Sequence, residues 1–186
     1  MERKIQGITT EYLNEALDLV EQVFTEYQDE KEGKTVRRLV EEIRSKKYYL
    51  PELELIALDE GNNVIGYVMF SRFHLEGKYE DKLLLLSPAA VKTELQRQHI
   101  SKNIIEYGFQ KAAKLGFEAV LVEGNPKNYN ARGFMTSSDY GIFPGKTVSY
   151  PREHKECLMV KELVPCALKE INGIVEYDCY ESLLEE

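Results

Sequence analysis

The chain has 186 residues, 43% hydrophobic and 30% charged, with 24 Lys+Arg against 32 Asp+Glu and a net charge of −8. That length predicts a chain able to bury its own core without a disulfide or metal staple. The acidic balance excludes nucleic acid as the main partner, since such binding draws its affinity from Lys and Arg neutralising phosphates.

Targeting and redox signals are negative. From Met1 onward no apolar leader is visible, and the longest apolar cluster, Leu83–Leu86, is far short of the about 20 residues of a membrane span. Cys157, Cys166 and Cys179 are odd in number and lack a C-x-x-C pair. They point to reduced thiols in a cytoplasm, not to a disulfide framework or zinc site.

Residues 11–27 place Leu13, Ala16, Leu17, Val20, Phe24 and Tyr27 on one helical stripe, with Thr9 or Thr10 as cap and Glu11 in the first turn. A second helix follows Thr35, carrying Val36, Leu39, Val40 and Ile43. After Pro51, strands over 53–58 and 64–73 flank a turn at Asp59-Glu60-Gly61-Asn62-Asn63. Leu83–Leu86 reads as a central strand buried on both faces, and Pro88 marks a bulge or the end of pairing. The clearest helix runs over 100–115, with Ile100, Ile104, Gly108, Ala112 and Leu115 in line and Gly116 as C-terminal cap. Ala119–Val122 is a short strand closed by Gly124-Asn125-Pro126, a helical turn follows at 128–132, and 157–160 is a late strand. Ile171, Ile174, Val175 and Tyr177 form no assignable pattern. With no repeat or low-complexity linker, the expected organisation is one domain over 1–164 and a C-terminal extension over 165–186 packed on it.

The chemistry concentrates in strand 83–88, loop 89–99 and helix 100–115. A strand passing through a short loop into a helix start presents unpaired N–H groups and the positive end of the helix dipole, a receptor for phosphate or diphosphate. His74 and His154 lack metal-ligand spacing, and no metal is expected.

Leu86-Ser87-Pro88-Ala89-Ala90-Val91 followed by Gln96-Arg97-Gln98-His99-Ile100-Ser101, then Val122-Glu123-Gly124-Asn125-Pro126-Lys127-Asn128-Tyr129 and Gly133-Phe134, resemble the motifs of the GCN5-related N-acetyltransferase (GNAT) superfamily. The likeness covers residues 5–163. It implies an α/β (α+β) acyl-CoA N-acyltransferase fold: a mixed, mostly antiparallel sheet with a splayed parallel strand pair, flanked by helices. It also implies acetyl-CoA as cosubstrate, bound by Ala90, Val91, Gln96, Arg97, Gln98, His99, Ile100, Ser101 and Asn125, with amides from Arg97 to Ser101 cradling the diphosphate.

The implied reaction is direct acetyl transfer to the amine of a small molecule or peptide, with neither nucleic acid nor membrane involved. A Lys-like amine of pKa about 10.4 must lose a proton before attack, and the leaving thiolate must gain one. Tyr129, four residues before Gly133, is the candidate general acid; Glu123 is the candidate base, with a water chain as the alternative. The family pattern places the acceptor pocket near Phe24, Tyr27, Phe73 and Tyr140. Two motif glycines are replaced, by His99 and Ser101; a left-handed backbone at a non-glycine residue costs roughly 1–2 kcal/mol. Those replacements leave a second reading open: a non-catalytic module of this fold that binds CoA, another ligand or a protein partner, with a docking role for Glu181, Glu185 and Glu186. A homodimer through the tail is the oligomer the sequence allows.

Overall fold

The computed structural model describes residues 3–148 and 152–184; Glu185 and Glu186 lie outside the described residues. In chain order the elements are β1 (Lys4–Gly7), α1 (Leu13–Tyr27), α2 (Glu30–Ser45), β2 (Glu54–Leu58), β3 (Val64–Leu75), β4 (Lys78–Val91), α3 (Ile100–Lys114), β5 (Ala119–Glu123), α4 (Pro126–Tyr129), β6 (Met135–Thr136), β7 (Ile142–Pro144), β8 (Leu158–Glu162) and β9 (Gly173–Val175). The main sheet is hydrogen-bonded in the order β1-β2-β3-β4-β5-β8-β6, and β7 with β9 forms a second, two-stranded sheet. The pairs β1–β2, β2–β3, β5–β8 and β6–β8 are antiparallel, and β4–β5 is parallel. This is the mixed, mostly antiparallel sheet expected from the sequence.

Two compact units divide the chain, one of residues 1–71 and 87–111, the other of 72–86 and 112–186. In the first unit, every side chain of β2 is buried, so both faces of that strand need cover. Leu55 and Ala57 point one way and Glu54 and Ile56 the other, as the two-residue repeat of a strand requires. Helix α3 covers the first face: a Cβ on Gly108 would sit 2.3 Å from Phe70 and 3.1 Å from Leu55, and one on Gly66 would sit 2.7 Å from Ile104. The absent side chain at Gly108 is what lets the helix come that close. Phe109 meets Phe70 edge-on, with centroids 6.0 Å apart.

The opposite face takes α2 and α1. Arg44 of α2 grips Glu54 through Nε at 3.0 Å and Nη2 at 2.5 Å, and the Tyr49 and Tyr67 hydroxyls donate to the same carboxylate at 2.6 and 2.8 Å. Glu54 and Tyr67 are wholly buried. A carboxylate can stay there because its lone pairs are satisfied and its charge is matched by the guanidinium. Burial and the facing carboxylate push both phenols well above the ordinary tyrosine pKa, which keeps them protonated as donors. Glu15 of α1 accepts the Val64 N–H at 2.7 Å. Helices α1 and α2 meet at Gly33, whose Cβ would fall 2.6 Å from the Glu21 carbonyl.

The second unit is built on Leu83–Leu86, Ala119–Val122 and Leu158–Val160, all at most 2% exposed. Parallel pairing runs from Leu83↔Ala119 to Leu85↔Leu121, whereas β4 extends to Val91 and β5 to Glu123. Several sequence-derived boundaries move: the strand expected over 83–88 runs from Lys78 to Val91, and α3 ends at Lys114. Helix α2 starts at Glu30, before Thr35, because Asp29 caps it by accepting the Glu32 N–H at 2.8 Å. Thr9 stands ahead of the first helical turn but makes no capping bond with its side chain. The unassigned tail supplies β9, which pairs in parallel with β7.

Candidate active site

In the first unit, β4 ends at Val91 and the backbone is fastened at once: the Lys92 N–H donates to the Ile65 carbonyl at 3.1 Å, and the Thr93 hydroxyl donates to the Glu26 carboxylate. Ala90 and Val91 are buried and serve the core. Gln96, Arg97, Gln98 and His99 are exposed, Ile100 is buried again at the head of α3, and Ser101 is half-buried. Arg97 and His99 hold left-handed backbones, with φ of 62° and 63°. In the sequence the replaced glycines fall at His99 and Ser101; the structure puts the strain at His99 and Arg97, on either side of Gln98. Ser101 lies inside α3 and has no positive φ, so the glycine it replaces is not needed there for conformational freedom.

The His99 carbonyl accepts the Asn103 N–H at 3.0 Å and so starts the helix ladder. Gln96 and Arg97 form the turn that leads into Gln98, and among the described residues the N–H groups of Arg97, His99 and Ile100 find no hydrogen-bond acceptor. A 15-residue helix then adds its dipole behind these donors. The arrangement is electropositive at the backbone and suited to a phosphate oxygen.

In the second unit, β5 delivers Glu123, Gly124 and Asn125 in succession. The Asn125 side chain accepts the Lys127 N–H at 3.0 Å and caps α4; Pro126 follows at the first helical position, where its missing N–H costs nothing. Tyr129 ends this turn. Its ring is half-buried and meets Phe134 edge-on, with centroids 5.6 Å apart, and the Arg132 guanidinium lies 5.8 Å from the ring centre. Gly124 makes room for it: a Cβ there would stand 2.7 Å from Tyr129 Cε2. Gly133 turns the chain with φ of 83°. Burial raises the Tyr129 pKa above the ordinary phenol value, opposed in part by Arg132, so the hydroxyl carries its proton at neutral pH.

Glu123 is half-buried, and the Tyr177 hydroxyl donates to its Oε2 at 2.9 Å. Tyr177 belongs to the tail and packs on Phe73 with ring centroids 6.0 Å apart. Cys157 stands beside Glu123, and desolvation together with the carboxylates of Glu156 and Glu123 raises its thiol pKa, which disfavours a thiolate nucleophile. Sequence reading missed Tyr177 because no local signal ties residue 177 to a strand end 54 positions earlier.

The aromatic residues expected around an acceptor differ in placement. Tyr27 is 81% exposed, Phe73 is wholly buried, Phe24 is half-buried, and the Tyr140 hydroxyl contacts Met135 Sδ at 2.8 Å. Phe73 is therefore core and not a lining residue. His74, Asp178 and Cys179 bring their ligand atoms within 4.8 Å of one another, a grouping invisible in the spacing. His74 Nδ1 already accepts the Gly77 N–H at 3.1 Å. In the neutral ring the proton then sits on Nε2, which leaves no lone pair for a cation while that turn persists.

Residues 13–140 match the family model described as "Acetyltransferase (GNAT) family". A curated relative, the uncharacterized N-acetyltransferase YhbS of Escherichia coli (strain K12), is 27% identical over 143 residues, covering 75% of this chain and 79% of its own. The crystal structure of Escherichia coli YhbS, a GNAT family N-acetyltransferase in complex with CoA, superposes with a TM-score of 0.82 at 22% identity, covering 100% of this chain and 93% of that one. A GNAT family acetyltransferase from Brucella melitensis in complex with acetyl-CoA gives 0.61 at 24% identity, over 72% of this chain and 82% of that one.

Proposed function

We propose that this chain, which belongs to the acetyltransferase (GNAT) family, transfers the acetyl group of acetyl-CoA directly to an amine. The carrying observation is the group of unpaired N–H donors at Arg97, His99 and Ile100 at the start of α3. They are offered to a diphosphate by main-chain geometry, so side chains with a Cβ can stand at His99 and Ser101 without removing the donors. Both structural relatives named above carry CoA or acetyl-CoA, which agrees with that ligand.

The second unit supplies the proton chemistry in this reading. Tyr129 donates to the departing CoA thiolate; its burial-raised pKa keeps the donor protonated until sulfur develops charge. Glu123, oriented by the Tyr177 hydroxyl, receives the proton of the attacking amine. The net charge of −8 favours approach of a cationic amine by long-range attraction.

Titration calorimetry with CoA and acetyl-CoA, followed by thiol release in the presence of small and peptide amines, tests the proposal. Binding below millimolar concentration and amine-dependent release of CoA are expected. Absence of binding at millimolar ligand overturns it.

A further inference from the structure

The residues on either side of Gln98 hold backbones that L-amino acids avoid, and something must hold them there. Within the first unit the loop is tied at its entrance by Lys92 to Ile65 and by Thr93 to Glu26. At its far end the His99 carbonyl accepts from Asn103. Between these points a cation reaches in from the other end of the sequence. Arg3 Nη1 donates to the Gln98 carbonyl at 2.7 Å, and Nη2 donates to Gln98 Oε1 at 2.5 Å. Arg3 directly precedes β1, whose register against β2 begins at Lys4↔Leu58. Arg3 is thus anchored next to a paired strand, and its guanidinium grips one residue through both its main chain and its side chain, the fork geometry that arginine has and lysine lacks.

We infer that Arg3 is a positioning residue for the diphosphate loop, doing by side-chain contact what the family's glycines do by conformational freedom. A glycine loop reaches the left-handed backbone at no steric cost. Here Arg97 and His99 disfavour it, and the Arg3 fork on Gln98 selects it by binding the carbonyl that lies between the two left-handed residues. The unpaired N–H groups of Arg97, His99 and Ile100 are then offered to the ligand already in place, and no affinity is lost to ordering them at binding. Arg3 touches neither acetyl group nor amine; it acts through Gln98. This inference rests on the diphosphate reading of the same loop given under the proposed function.

The test combines Arg3→Ala with the double substitution Arg97→Gly/His99→Gly. In the otherwise native chain, Arg3→Ala should raise the Kd of CoA about tenfold, the size that a strained residue converts to in affinity. The Kd of S-acetylpantetheine, which lacks the diphosphate, should stay within twofold. In the double-glycine background the same Arg3→Ala change should cost less than threefold, because glycine needs no clamp. A CoA Kd within twofold of wild type for Arg3→Ala overturns the inference. So does an equal loss for S-acetylpantetheine, which would mark general damage, or a tenfold loss that persists in the glycine background, which would mark direct contact between Arg3 and the ligand. If wild-type protein binds no CoA, the diphosphate reading falls instead. The clamp is then judged by backbone 15N relaxation at Gln98 and Ile100: rigid in wild type and mobile in Arg3→Ala is expected, and equal rigidity refutes it.

Discussion

Two corners of this molecule meet one backbone demand by different means. At Gly124 and Gly133 the chain uses glycine, once so that the Tyr129 ring can lie against the main chain and once to turn with φ of 83°. At Arg97 and His99 it makes a comparable turn with full side chains, at φ of 62° and 63°, and fastens it with the Arg3 fork. The difference teaches that a missing motif glycine does not by itself report a lost site. What matters is whether another contact stabilises the conformation that glycine would have adopted freely.

The largest expected effect breaks the corner at Gly124 and Tyr129. Tyr129→Phe should lower kcat at least about a hundredfold, the usual contribution of a positioned general acid, and leave the CoA Kd within twofold; steady-state kinetics with calorimetry checks both. Because burial raises the Tyr129 pKa, its acid form persists as pH rises, and the alkaline limb of kcat should lie above the ordinary phenol value of about 10. Gly124→Ala comes next. Its Cβ would stand 2.7 Å from the Tyr129 ring, so the ring must move, and kcat should fall about tenfold with little change in CoA affinity.

Two smaller changes sharpen the comparison through opposite signs. Gly133→Ala forces an L-residue to φ of 83° and should destabilise the fold by roughly 1–2 kcal/mol, read from urea denaturation. His99→Gly relieves the same kind of strain and should stabilise by about 0.5–1 kcal/mol. Destabilisation by His99→Gly would mean that the imidazole packs usefully and the two corners are not equivalent.

How much of this could be read from the chain alone follows the range of the interactions involved. Helix α3 was legible because its stripe of Ile100, Ile104, Gly108 and Ala112 and its Gly116 cap are local signals, and Gly116 does adopt a positive φ of 94°. Leu115, assigned to that stripe, is 48% exposed because α3 ends at Lys114. The start of α2 was missed because its first turn is polar; only Asp29 ahead of Glu32 announced it, and the apolar repeat begins later at Val36. The motif segments that carry Tyr129 and the 96–101 loop were legible as linear patterns. Arg3 on Gln98 spans 95 positions and Tyr177 on Glu123 spans 54, and neither leaves a mark in local composition. Strands β7 and β9 are three residues each, too short for alternation to stand out from their surroundings.

The Glu54 cluster has an evolutionary corollary. Loss of Arg44 alone strands a buried anion, and loss of Glu54 alone strands a guanidinium and two inward-facing phenols, either of which costs on the order of 3–5 kcal/mol. Wholesale exchange of the set for apolar side chains of matching volume would be tolerated. Positions 44, 49, 54 and 67 are therefore expected to drift together across descendants of this sequence, each frozen while the others remain.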